Sequence, residues 1–108
     1  MNICITAKGP SLESEFEPHF ARASYFIFYD SRTGTLDAVR NGFVFSDTRI
    51  GQNAVQLLKM YGLDAVITGK LGANARDLLK GVRISIRIFN GKGTVKDAID
   101  TVLQNPME

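Results

Sequence analysis

The sequence predicts a single α/β domain over residues 1–108, with a five-stranded mixed sheet covered by helices on both faces. Three observations carry that expectation. The stretch from Gly62 to Gly81, GLDAVITGKLGANARDLLKG, reads as a buried strand, a glycine-bracketed turn and the opening of a helix. The turn Asp30-Ser31-Arg32-Thr33-Gly34 is too short for a helical crossover, so the strands on either side of it must be antiparallel neighbours. The last half of the chain alternates helix-type and strand-type segments, which is the pattern of parallel strands joined by helices.

Taken in order, Asn2 to Ala7 is a β-rich run stopped by Lys8-Gly9-Pro10. Ser11 to Pro18 is polar and acidic around a lone Phe16, which suggests a surface loop. Pro18 suits the first position of a short helix, a single turn over His19-Phe20-Ala21-Arg22. The aromatic run Tyr25 to Tyr29 is a second strand, and Thr35 to about Arg40 a third. An irregular connection is expected from Asn41 to Arg49. A helix follows from Gly51, with Ala54, Val55, Leu57, Leu58 and Tyr61 as its apolar stripe and Gly62 as its stop.

The run Ala65-Val66-Ile67-Thr68 is continuous rather than alternating, the mark of a strand covered on both faces. A short helix from Asn74 to Lys80 should then bury Ala75, Leu78 and Leu79, with Gly81 ending it. Val82 to Phe89 alternates Ile84, Ile86 and Ile88 with Arg83, Ser85 and Arg87, so one of its faces should be wet and the strand near a sheet edge. Pairing along that edge would give a weak homodimer, whereas the two arginines would equally well protect a monomer. After the second glycine corner, Asn90 to Gly93, Thr94 caps the last helix, with Asp97 in a capping-box position.

The order is therefore β-β-β-α-β-α-β-α. The first strand should be central and next to the fourth, with right-handed crossovers. This matches a ribonuclease H-like sheet better than a regular doubly wound one.

Composition narrows the function classes. Hydrophobic residues make up 44% and charged residues 22% of the 108, close to a soluble globular average. A chain of this length buries about 65% of its unfolded surface, enough to fold without staples. No apolar run approaches the ~20 residues of a membrane span, and no signal or transit sequence is visible before Ile3, so the expected location is cytoplasmic. Thirteen Lys and Arg against eleven Asp and Glu give a formal charge of +2, too balanced for wrapping nucleic acid. The single cysteine, Cys4, rules out an internal disulfide and a four-cysteine iron–sulfur site, and reads as a small apolar core residue.

The corner Gly69 to Asn74 is a candidate anion site, because a sharp turn leaves free N–H groups at the next helix, where Lys70, Asn74 and Arg76 lie beyond the carboxyl end of a strand. The alternative is that Gly69 and Gly72 only make a tight connection.

Three segments together resemble one family: EPHFARASYFIFYD at Glu17 to Asp30, IGQNAVQLLKMYGLDAVITGKLGANARDLL at Ile50 to Leu79, and GKGTVKDAI at Gly91 to Ile99. They are similar to the dinitrogenase iron-molybdenum cofactor biosynthesis family, over nearly the whole chain. The resemblance implies a small ribonuclease H-like domain that binds or carries the iron-molybdenum cofactor, or an iron–sulfur precursor cluster, for cofactor-assembly proteins. Where relatives commonly have His-Gly-x-Gly before the first long helix, this chain has Thr48-Arg49-Ile50-Gly51, so a potential histidine ligand is lost from the segment and Arg49 supplies a positive charge suited to an anionic ligand.

His19, the only histidine, is the candidate metal ligand through its neutral imidazole; the alternative is a histidine that packs or caps beside the first strand. An anionic cluster would further rest on Arg22, Arg49, Lys70 and Arg76 and on backbone N–H groups at Gly72 to Asn74 and at Gly93-Thr94. Catalysis is not expected. A ribonuclease H-type nuclease needs clustered carboxylates, yet the first strand has none and the core strand only Asp64, and no G-x-S-x-G elbow is present. The competing function is a nucleotide- or small-anion-binding regulatory module that uses the same glycine corners.

Overall fold

The computed structural model describes residues 1–41, 55 and 58–104. Five strands, β1 (Asn2–Ala7), β2 (Tyr25–Asp30), β3 (Thr35–Arg40), β4 (Ala65–Thr68) and β5 (Ser85–Ile88), form one sheet in the order β3-β2-β1-β4-β5. The β1–β4 and β4–β5 pairs are parallel, and β1–β2 and β2–β3 antiparallel. The first strand is thus central and beside the fourth, the ribonuclease H-like arrangement that the element order predicts.

Two helices, α1 (Ala73–Gly81) and α2 (Val95–Gln104), lie on opposite faces. The period-2 alternation of the strands sorts their side chains between two cores. Cys4, Phe26, Phe28 and Val66 pack with Ala75 and Leu79 of α1 and with Val55 and Leu58. Ile3, Ile5, Ile27, Ala65 and Ile67 pack with Val95, Ala98 and Ile99 of α2. All four residues of β4 are buried, because both of its faces are covered.

Of the helix expected from Gly51, Val55, Leu58 and Lys59 are helical, and the first two are buried. The remainder of its start, with Ala54 and Leu57, and the irregular connection up to Arg49 lie outside the described residues.

The structure corrects four local expectations. Ser11 to Pro18 is not merely a surface loop. Phe16 is buried edge-on against Phe89, ring centroids 5.0 Å apart, and the segment's backbone bonds to the sheet. A lone phenylalanine has no period by which to announce its partner.

In α1, Ala75 and Leu79 are buried, but Leu78 is 36% exposed. At about 100° per residue it sits roughly 60° to the flank of Ala75. The same helix includes Gly81 as its last residue, with Val82 and not the glycine as its C-cap. Its last turn closes with the Arg83 N–H on the Lys80 carbonyl (3.1 Å) and the Ile84 N–H on the Leu79 carbonyl (3.0 Å), and Arg83 takes the left-handed conformation at φ 62°. This double bond pattern ordinarily has glycine at the left-handed position. The glycine stands two residues too early, and burial of Ile84 against Leu79 decides the register.

Finally, β5 is an edge strand as expected, but its isoleucines do not line one dry face. Ile86 is half-buried and Ile88 is 44% exposed, because the core under α1 extends to Ile84 and Ile86 and not to Ile88.

Candidate functional site

Parallel pairing brings the carboxyl ends of β1, β4 and β5 to one rim, together with the starts of both helices. Residues 15–20 form a strap across that rim. The Lys8 N–H donates to the Glu15 carbonyl, the Phe16 N–H to that of Gly93 and the Glu17 N–H to that of Thr6, at 2.9 to 3.0 Å. On the other side the N–H groups of Gly69 (2.9 Å) and Lys70 (2.6 Å) both donate to the Pro18 carbonyl, and the Phe20 N–H donates to the Lys70 carbonyl (2.9 Å). The strap therefore runs from the core under α2, where Phe16 is buried, to the core under α1, where Phe20 is buried. Burial of Phe20 anchors that end by roughly 2 kcal/mol.

Beneath the strap two buried threonines meet. The Thr6 hydroxyl lies 2.6 Å from the Glu17 carbonyl and 3.0 Å from the Thr68 hydroxyl, itself 3.3 Å from the Pro18 carbonyl. Both threonines are fully buried, and their hydroxyls are satisfied by the strap and by one another. Gly69 completes the support. A Cβ there would stand 2.9 Å from both the Pro18 carbonyl oxygen and its Cβ, so only glycine admits the strap at this spacing.

The strap presents His19. Its side chain is 56% exposed, and its backbone pairs with Lys70 in an isolated parallel bridge. The Glu17 carboxylate, itself only 15% exposed, accepts the His19 N–H at 2.9 Å and lies 3.4 Å from the imidazole Nδ1. A carboxylate at Nδ1 favours the tautomer with the proton there, which leaves the Nε2 lone pair outward as a ligand. The short 3-10 turn Phe20–Arg22 follows at once and ends on an exposed Arg22.

Beside His19 and Lys70, α1 begins. Gly72 is its N-cap, with no side-chain hydrogen bond, and the first turn contains no acidic residue. The Arg76 N–H donates to the Gly72 carbonyl at 3.0 Å, so the N–H groups of Ala73, Asn74 and Ala75 precede the helical ladder and have no partner among the described residues. Asn74 is the second residue of α1 rather than its cap, and it is exposed, as are Lys70 and Arg76. The positive end of the helix dipole thus begins three residues after Lys70, the backbone partner of His19, with exposed cations at Arg22, Lys70 and Arg76 in the segments around it.

The corner at Gly93-Thr94 is different. Its amides were expected to be free, yet the Thr94 N–H donates to the Asp97 carboxylate (2.9 Å) and the Asp97 N–H to the Thr94 hydroxyl (3.2 Å), the expected capping box. The next two N–H groups are taken by Ser14 (2.8 Å, from Val95) and Leu12 (3.0 Å, from Lys96). Thr94 pairs with Glu15 at the far end of the strap, about 13 Å of extended chain from His19. It lies on the opposite face of the sheet. The structure accordingly pairs His19 with Lys70, places Arg22 at the end of the turn that follows His19 and Gly72, Asn74 and Arg76 in the first turn of the helix that follows Lys70, and sets Gly93 and Thr94 apart, while Arg49 lies outside the described residues.

Among the described residues no three His, Cys, Asp or Glu side chains come together as a chelating set. Cys4 is buried, and burial pushes its thiol well above the usual cysteine range, so it offers no thiolate. The chemistry available is one imidazole nitrogen, a group of cations and three peptide N–H groups. That set suits a compact anionic body bound at one soft or borderline metal position. Sequence reasoning missed Thr6, Glu17 and Thr68. The one available signal was a threonine at the inner end of each otherwise apolar strand, where a hydroxyl needs a partner.

A family model described as dinitrogenase iron-molybdenum cofactor matches residues 1–105. Among solved structures, the apo form of the orange protein from Desulfovibrio gigas is similar at a TM-score of 0.90 and 31% identity, over 95% of this chain and 87% of that one. A NifB-like protein of the DUF35 family from Thermotoga is similar at a TM-score of 0.85 and 33% identity, over 96% and 88%. No curated protein matches the chain. No helix among the described residues is long and apolar enough to cross a membrane.

Proposed function

The chain belongs to the dinitrogenase iron-molybdenum cofactor family, and from that premise we propose that it is a non-catalytic carrier of an iron-molybdenum or related iron–sulfur cluster. The observation that carries this reading is the exposed His19 imidazole, oriented by Glu17 and fixed beside Lys70 and the uncapped start of α1. Such clusters are anionic, so the cations and amides hold the charge while Nε2 makes the single bond to metal. One ligand makes an exchangeable attachment, which suits cargo that must be passed on. The donors and recipients are then cofactor-assembly proteins.

Anaerobic addition of iron-molybdenum cofactor, or of a synthetic iron–sulfur cluster, followed by gel filtration tests the proposal. The wild-type protein should retain visible absorbance, and His19→Ala should retain at least tenfold less at unchanged thermal stability. Equal retention by His19→Ala would remove the imidazole from the account. Absence of uptake, together with thermal stabilisation by a nucleotide, would favour the regulatory module instead.

A further inference from the structure

The outer edge of β5 is a second surface, independent of the cargo reading. Along β5 the Ser85 N–H donates to the Asp64 carbonyl (3.0 Å) and the Phe89 N–H to the Thr68 carbonyl (2.9 Å), so odd-numbered residues bond inward to β4. The ladder then turns the N–H and C=O groups of Ile86 and Ile88 outward, where no further strand follows among the described residues. Edge strands left in this state template the addition of another strand unless something blunts them. Here the side chains around the edge are half-buried Ile86, exposed Ile88 and three cations, Lys80, Arg83 and Arg87, which have no acidic partner among the described residues. Lys80, Arg83, Ser85 and Arg87 line an open trough of ≈ 420 Å³ with Ile84 and Ile86.

Arg83 occupies the left-handed position that ends α1, at φ 62°, where glycine would be less strained. The chain keeps a long cationic side chain at this costly position, beside a row of unpaired peptide groups.

We infer that the β5 edge receives an extended acidic segment of another protein, with alternating apolar residues, which adds as a sixth strand to the sheet. Its backbone would bond to Ile86 and Ile88, its apolar side chains would lie on the face of those isoleucines, and its carboxylates would lie on the other face with Arg87, with Arg83 at the start of the strand. A second copy of this chain is the wrong occupant. Every antiparallel register of two β5 strands sets an arginine of one copy opposite, or within two residues of, an arginine of the other, and like charges there repel.

The probe is a capped six-residue peptide of alternating glutamate and valine, titrated against the full chain with amide chemical shifts as the readout. Shifts and exchange protection at Ile86 and Ile88 are expected, with affinity at least tenfold weaker in Arg87→Glu, weaker in Arg83→Gly and weaker at high salt. The lysine–valine peptide should not bind. Nor should the glutamate peptide carrying N-methyl groups on alternate residues, which keeps the charge but cannot form the ladder. The inference is overturned if the N-methylated peptide binds equally well, if the shifts fall at His19 and Asn74 instead, if Arg87→Glu and Arg83→Gly both leave affinity unchanged, if no shift occurs at millimolar peptide, or if sedimentation shows the free chain pairing with itself through β5.

Discussion

Two helix starts stand at the same rim of the sheet, each preceded by a pair of glycines, and they have opposite fates. At α2 the chain consumes its own amides. Thr94 and Asp97 bond reciprocally, and Ser14 and Leu12 take the next two N–H groups. At α1 the cap is a glycine with no side chain, the first turn has no acid, and Arg76 stands where the dipole would favour a carboxylate. The difference teaches that a glycine corner is not a binding site by virtue of its glycines. What counts is whether local side chains have already answered the helix's free donors, and of these two corners it is the one at α1, next to the backbone partner of His19, that has no such answer among the described residues.

That contrast can be broken or sharpened by substitution. The largest effect is expected from Gly69→Ala, which forces a methyl group against the Pro18 backbone and lifts the strap that presents His19. A loss of about 2 kcal/mol in urea unfolding, typical of overpacking, should accompany loss of cluster retention. A normal urea midpoint would show that the strap yields without cost.

Thr94→Ala opens the capping box at α2 and should cost about 1 kcal/mol in the same measurement. Cluster retention should not change, because that corner lies on the other face. A change in retention would rejoin the two corners.

Gly72→Asp makes the α1 start resemble that of α2. Its Cβ position is open and its φ of −69° admits any residue, so the new carboxylate can cap the helix. Stability should rise by only a few tenths of a kcal/mol, glycine being a tolerable cap. Cluster retention should nevertheless fall by about tenfold, because an anion then occupies the place of the cargo. Unchanged retention would exclude the α1 amides from the site.

The smallest effect concerns pH. Lys8 lies where the strap leaves β1, and its hydrogen bond to Glu15, aided by that carboxylate's charge, raises its pKa. A raised folded-state value gives a contribution fully present below the ordinary lysine value of about 10.4 and lost as pH climbs through the higher one. This contribution should therefore leave stability flat from roughly pH 7 to 10 and decline only above the ordinary lysine value. Lys8→Ala should lessen the decline, the remainder coming from Lys96, whose pKa is raised in the same way by its hydrogen bond to Asp100.

Much of this architecture was legible in the sequence. The continuous Ala65–Thr68 run announced a strand buried on both faces, the Asp30–Gly34 turn an antiparallel hairpin, and Thr94 with Asp97 a capping box, because each of these is set by neighbours within a few residues. Elements that answer to distant partners were not legible. Phe16 is placed by Phe89, seventy-three positions away, and the end of α1 is set by the contact of Ile84 with Leu79 against the local preference of Gly81. The site divides in the same way. His19, Lys70 and the α1 corner could be suspected from residue type and the strand-to-helix turn, whereas their adjacency depends on Thr6, Thr68 and Glu17.

The strap has one consequence for how the molecule comes into being. Phe16 and Phe20 moor it on opposite sides of the sheet, so the imidazole acquires its place only when both hydrophobic layers have consolidated. A half-assembled chain then lacks the proposed site. In refolding from urea, capture of the cluster's colour should keep step with the near-ultraviolet dichroism of the packed aromatic rings, and lag behind the far-ultraviolet signal of the helices.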